Sequence, residues 1–137
     1  MRLLQIAASA IVSVLISVSA VTTAHAQTAW SDIRANVFGD RTIEPAGYVV
    51  RLSAPNRPED QSHVPIGVEA TFKDGRTVRS VTLIVDQNPT PIAAVFDIGG
   101  KRDHLKIATK LRLNAATDVR AIVEASDGAL YMADQFV

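Results

Sequence analysis

Leu105-Lys106-Ile107-Ala108-Thr109-Lys110-Leu111-Arg112-Leu113 decides the fold. Its odd positions are apolar or β-branched, and its even positions are Lys, Ala, Lys and Arg. A period of two marks a strand with one buried face, whereas a helix would show a period of 3.6. The same alternation recurs upstream, where Val64, Ile66, Val68, Ala70 and Phe72 oppose Pro65, Gly67, Glu69 and Thr71. Pro65 has no N–H for a ladder, so that strand is expected to lie at an edge or to begin near there. Lys73-Asp74-Gly75-Arg76 carries a hairpin signal. The next strand, Val78 to Val85, sets Val81, Leu83 and Val85 on one face. Asp86-Gln87-Asn88-Pro89-Thr90-Pro91 ends it, and Ile92, Ala94, Phe96 and Ile98 resume the alternation up to the turn Gly99–Asp103.

Further out, Val119, Ala121, Val123 and Ala125 make another strand, Asp127-Gly128 turns it, and Leu130–Val137 is the last. On the N-terminal side, Tyr48, Val50 and Leu52 alternate with Val49, Arg51 and Ser53 until Pro55-Asn56-Arg57-Pro58 breaks the strand. This amounts to about seven antiparallel strands separated by turn signals, which predicts an all-β, Ig-like β-sandwich. The one helical signal precedes them. Trp30, Ile33 and Val37 fall at i, i+3 and i+7, and Gly39 can take the left-handed cap position.

The first residues belong to a different segment. Arg2 precedes an apolar run from Leu3 to Val21 and the small-residue stretch Thr22-Thr23-Ala24-His25-Ala26. A basic start, an apolar middle and an Ala-x-Ala end predict a secretory signal peptide over residues 1–26, cleaved after Ala26. With no Arg-Arg pair, the general secretion route is expected. The mature domain is then residues 27–137, in the periplasm, with no membrane contact after cleavage. It is long enough to bury roughly two-thirds of its unfolded surface and to fold without disulfides.

Charge and composition narrow the function. The 14 basic and 14 acidic residues cancel, and only Arg2 among them falls in the leader, so nothing points to nucleic acid or an anionic membrane as partner. The absence of cysteine excludes thiolate zinc sites and a cysteine nucleophile among these residues. His63 and His104 sit beside turns without metal-ligand spacing. Glu59-Asp60 reads as a polar loop. Ser80 and Ser126 lack the Gly-x-Ser-x-Gly context of an activated serine. Gly99-Gly100-Lys101 joins two strands and opens no helix, so it is no phosphate loop. No catalytic residue, cofactor site or metal site is expected, and the protein reads as a non-enzyme. The turn Asp86-x-Asn88-Pro89-x-Pro91 has a mechanical reading, in which Asp and Asn bond nearby backbone and each Pro fixes φ.

Several motifs taken in order carry a resemblance. They are Trp30 with Phe38-Gly39-Asp40-Arg41, Ala54-Pro55-x-Arg57-x-Glu59-Asp60, and Val64-Pro65-Ile66. Leu83-Ile84-Val85-Asp86-x-Asn88-Pro89-x-Pro91, Val119-Arg120-Ala121 and Asp127-Gly128-x-Leu130-Tyr131 complete the set. Together they resemble the SoxY-type sulfur carriers. Tyr131-Met132 with Phe136-Val137 is similar to the SoxYZ-like carriers associated with periplasmic quinoprotein dehydrogenases.

The resemblance implies an Ig-like sandwich that pairs with a SoxZ-like domain and serves sulfur-oxidation or quinoprotein dehydrogenase components. It also implies a Gly-Gly-Cys arm after the last strand, whose cysteine holds the sulfur intermediate. No position here matches that cysteine, and the chain is expected to be a fragment that stops before the arm. For the partner surface the candidates are Val95, Ile122 and Tyr131, on the faces opposite their strands' main apolar sets. The same residues could equally form the second face of an ordinary core. The alternative function is a non-catalytic periplasmic Ig-like binding or scaffold module, which accounts for the missing cysteine directly.

Overall fold

The computed structural model describes residues 21–137. The first twenty residues of the expected leader lie outside the described residues. Eight strands follow one helix: α1 (Val21–Phe38), β1 (Ile43–Pro45), β2 (Val50–Ser53), β3 (Val64–Thr71), β4 (Val78–Val85), β5 (Ile92–Asp97), β6 (His104–Leu111), β7 (Asp118–Ala125) and β8 (Leu130–Phe136). A five-stranded sheet in the order β1-β8-β7-β4-β5 packs on a three-stranded sheet in the order β2-β3-β6. The architecture is the all-β sandwich that the alternation predicts. β1 departs from it by running parallel to β8, with Ile43 opposite Leu130. Three residues ending in Pro45 are too few to show a period, so the sequence hides this strand.

Two further expectations are refined. Tyr48 lies in the turn before β2 and is exposed, because Gly47 takes a φ of 52° there and the ladder starts only at Val50. β3 begins one residue before Pro65, as one of the two expectations has it, but it is the central strand of its sheet and not an edge. β2 reaches only as far as Ser53 opposite Gly67, so β3 has no neighbour on that side at Pro65, and the missing N–H breaks no pairing with β2.

The core between the sheets brings Val81, Leu83 and Val85 of β4 and Val119, Ala121 and Val123 of β7 against Val64, Ile66, Val68 and Ala70 of β3. Each large aliphatic side chain buried this way is worth about 1.5–3 kcal/mol. The opposite face of the larger sheet is covered as well. Ile33 of α1 packs on Ile84, Ile122 and Leu130, with Trp30, Phe38, Ile43 and Met132 around them. β4 and β7 are therefore buried on both faces, which is why Val81-Thr82-Leu83-Ile84-Val85 reads as an almost unbroken apolar run. The helix stops where its sequence says it should. Gly39 adopts a φ of 60°, and its N–H reaches the Ala35 carbonyl at 3.1 Å.

Candidate functional site

The helix-covered face holds one charged side chain in an apolar run. Arg120 interrupts Val119-Arg120-Ala121-Ile122-Val123 and points toward α1, beside Ile84 of β4 and Asp134 of β8. Its side chain is 8% exposed and that of Asp86 is 0% exposed. Arg120 Nε donates to both Asp86 carboxylate oxygens at 3.0 Å, and Nη2 donates to Oδ2 at 2.7 Å. Asp118 and Asp134 each approach the guanidinium at 3.4 Å. The Trp30 ring closes the site from above, with its centroid 4.4 Å from Arg120 Cζ. A desolvated cation on an indole face is worth about 2 kcal/mol. Three carboxylates share this one guanidinium. Burial holds the Asp118 carboxyl above its ordinary range, Asp86 and Asp134 push the same way, and Arg120 opposes them.

The distinctive turn after β4 is a clamp. Asp86 begins it by pairing with Arg120 across to β7, while its N–H donates to the Asp118 carbonyl at 3.1 Å. The Asn88 side chain donates to the Arg112 carbonyl at 2.8 Å and accepts the Asn114 N–H at 3.0 Å. Gln87 N–H donates to Thr117 Oγ1 at 3.0 Å. The mechanical reading is thus right in kind, but the partners are residues 24 to 34 positions away rather than nearby backbone. Thr117, in the β6–β7 loop that this turn holds, and Ala54 fix the end of β8. Val137 and Thr117 exchange N–H···O bonds of 2.9 and 3.1 Å, and Gln135 Nε2 donates to the Ala54 carbonyl at 2.6 Å.

A second charged group, Arg76, is tied to the hairpin tips. It donates to Asp74 at 2.7 Å and to Tyr131 Oη at 2.8 Å, and it lies over the Phe72 and Tyr131 rings. Asp74 is held below its ordinary range by Arg76, and Arg76 is raised in turn by Asp74 and Tyr131. Asp60 is likewise lowered, first by the His63 ring at 2.9 Å and then by the Ser62 N–H at 2.8 Å. Glu59-Asp60 is therefore part of a local turn. The His104 ring bonds to the Thr71 hydroxyl, at 2.9 Å. Among the described residues, no three His, Cys, Asp or Glu side chains assemble a metal-binding group.

The three residues read as a partner surface separate in space. Val95 is on the open outer face of β5 and 56% exposed. Ile122 is 1% exposed, because α1 occupies the face it points to. Tyr131 faces the sandwich core, edge-on to Phe72 with ring centroids 5.8 Å apart. Its neighbours Leu130 and Met132 meet the helix. Of the three, Val95 is exposed, Tyr131 is partly buried and Ile122 is buried. Arg120 and Asp86 carry no such reading in sequence, although a lone charge inside a buried-strand pattern is itself a signal that a partner must exist.

Taken together, these features define a β-sandwich module in which Arg120, Asp86 and Arg76 hold its own elements in place. The chain belongs to the SoxY family: the model for the sulfur oxidation protein SoxY matches residues 34–137. The solved structure of the sulfur carrier protein SoxY from Chlorobium limicola f. thiosulfatophilum superposes with a TM-score of 0.69 at 23% identity, covering 84% of this chain and 95% of that one. A variant of the superoxide reductase (neelaredoxin) of Ignicoccus hospitalis shares the fold at a TM-score of 0.53 and 14% identity, covering 73% of this chain and 95% of that one. A search of curated protein sequences returns no match. This is a domain of sulfur-carrier type.

Proposed function

We propose that the chain is the folded body of a periplasmic sulfur carrier that works with a SoxZ-like domain. It would present a covalently held sulfur intermediate to sulfur-oxidising or quinoprotein dehydrogenase-linked enzymes, without catalysing a reaction itself. The family match over residues 34–137 carries this reading. The geometry supports it. A carrier needs a rigid body with a fixed origin for a mobile arm, and Val137 is pinned to Thr117 in both directions while Gln135 is tied to the loop before β3. The leader over residues 1–26 supports a periplasmic location. Since these 137 residues hold no cysteine, the sulfur-bearing thiol must be supplied from outside them.

That absence favours one other reading, a non-catalytic Ig-like binding or scaffold module in the same compartment. Intact mass of the protein purified from its native periplasm separates the two. The carrier reading expects a mass above that of residues 27–137, with one thiol reactive to maleimide and sulfur-containing adducts on it in cells grown on thiosulfate. A mass equal to residues 27–137, with no thiol, overturns the carrier in favour of the scaffold.

A further inference from the structure

We infer that β5 is the docking strand of this domain, and that its occupant is an edge strand of the partner sandwich flanked by acidic side chains. The identity of the partner as SoxZ-like rests on the carrier reading. The surface and its chemistry rest on the following observations.

β5 closes one edge of the five-stranded sheet, and its backbone is half unpaired. Ile98 donates its N–H to the Arg79 carbonyl at 2.9 Å, one step beyond the pair Ser80–Asp97. Backbone groups alternate sides along a strand. Phe96 and Ala94 therefore turn their N–H and C=O groups toward β4, as Ile98 does, while Val95 and Asp97 turn theirs outward.

The other sheet edges are blunted. β1 has three residues and ends in Pro45, and β2 has four and carries Arg51. β6 carries Lys106 and Lys110. Short length, proline and lysine are the usual protections of an exposed edge. β5 has a bulge at Ala93 but no proline or lysine between Ile92 and Phe96, where every residue is apolar, and both Ile92 and Val95 are exposed. Beside it the core itself is ajar. Ala94, Phe96 and Ile98 of β5 and Leu105 and Ile107 of β6 pack on the core but are only partly buried. A strand added to β5 would complete the ladder and cover these side chains together.

Charge selects the occupant. The turn and edge beside β5 carry Lys101, Arg102, Lys106 and Lys110 against Asp97 and Asp103. Lys106 reaches Glu69 at 3.6 Å, and the other three have no carboxylate within salt-bridge distance among the described residues. A second copy of this chain docked two-fold on β5 would bring two such β6 edges together, lysine against lysine. Like charges in that position oppose association. A partner strand bordered by Asp or Glu meets both the unpaired backbone and the excess cations.

The test measures binding of the full chain to the purified SoxZ-like protein of the same organism by calorimetry. Val95→Pro removes an outward N–H and leaves the β4 ladder untouched, with Val95→Thr as control. Lys106→Glu combined with Lys110→Glu reverses the edge charge without touching the backbone. Each of the two test variants is expected to weaken binding about tenfold or more, the control by less than threefold. Raising salt from about 0.05 to 0.5 M should weaken the wild type by a similar factor. Unchanged affinity in both test variants overturns the assignment of β5 and leaves the carrier reading intact. No binding by the wild type overturns the SoxZ-like partner and this inference together. Sedimentation of the wild type as a dimer that Val95→Pro dissolves overturns the choice of occupant.

Discussion

Asp86→Ala is the sharpest perturbation of the helix-covered face. It leaves the Arg120 guanidinium where its side chain is only 8% exposed, without the three short contacts of 2.7 to 3.0 Å. Breaking a buried pair from one side costs about 3–5 kcal/mol, because the remaining charge stays desolvated. Asp118 and Asp134 still stand at 3.4 Å, but both are partly exposed and so more screened. They offset part of the loss, which places the expected cost at about 3 kcal/mol. For a domain of this size that corresponds to a fall in Tm of roughly 13 °C. Urea unfolding can be followed by the emission of Trp30, the sole tryptophan, whose ring lies directly on the group under test. The double replacement Asp86→Leu with Arg120→Met removes both buried charges and is expected to regain about 2 kcal/mol over the sum of the single losses. A single-variant loss below about 1 kcal/mol, the range of exposed ion pairs, or a strictly additive double variant, would refute the argument.

Three other outcomes are expected. Ile122→Ala should cost about 2–4 kcal/mol by opening a cavity under α1, while affinity for a partner, measured where the variant is folded, stays unchanged; a selective loss of binding would put Ile122 on the interface after all. Asn88→Ala should cost about 1–2 kcal/mol for its two backbone bonds and speed hydrogen exchange at the Asn114 amide, and unchanged exchange there would remove Asn88 as the clamp. Asp118→Asn concerns pH. Because burial raises this carboxyl in the folded state, the fold binds its proton more tightly than the unfolded chain does, so its contribution favours folding in acid and is lost as pH rises through the folded value. Asp118→Asn should therefore stabilise at pH 7 by at most about 1 kcal/mol and do little at pH 3, and a larger gain in acid would reverse the sign assigned here.

The sequence disclosed the sandwich because six of the eight strands are long enough to show their period, and their turns carry Gly, Asn, Asp or Pro where backbone geometry needs them. The placement of Ile122 and Tyr131 was less legible. Alternation tells which residues share a face but not what covers that face, and on β8 the small Ala133 and the polar Asp134 and Gln135 weaken the pattern enough to exchange inside for outside. β7 held the better clue. Four of the five positions from Val119 to Val123 are apolar, Ile122 stands on the face away from the core, and all five are buried. That pattern already required a second covering element, and α1 was the one available. The Arg120–Asp86 pair spans 34 positions, so no local motif joins the two residues. What stood in the sequence was one arginine inside an apolar run, which could be stable only with a buried carboxylate beside it.

The two sides of the larger sheet then follow opposite logics. Where α1 lies, apolar groups are covered, the buried cation is matched by carboxylates and an indole, and no buried side-chain polar atom among the described residues lacks a partner. Along β5 the same chain leaves outward backbone groups unpaired, apolar side chains exposed and, among the described residues, the neighbouring Lys101, Arg102 and Lys110 without carboxylates. The other three edges are protected by short length, proline or lysine, whereas β5 carries no more than a bulge at Ala93. The contrast within one sheet, more than the exposure of any single residue, argues that β5 is kept open for a strand from elsewhere.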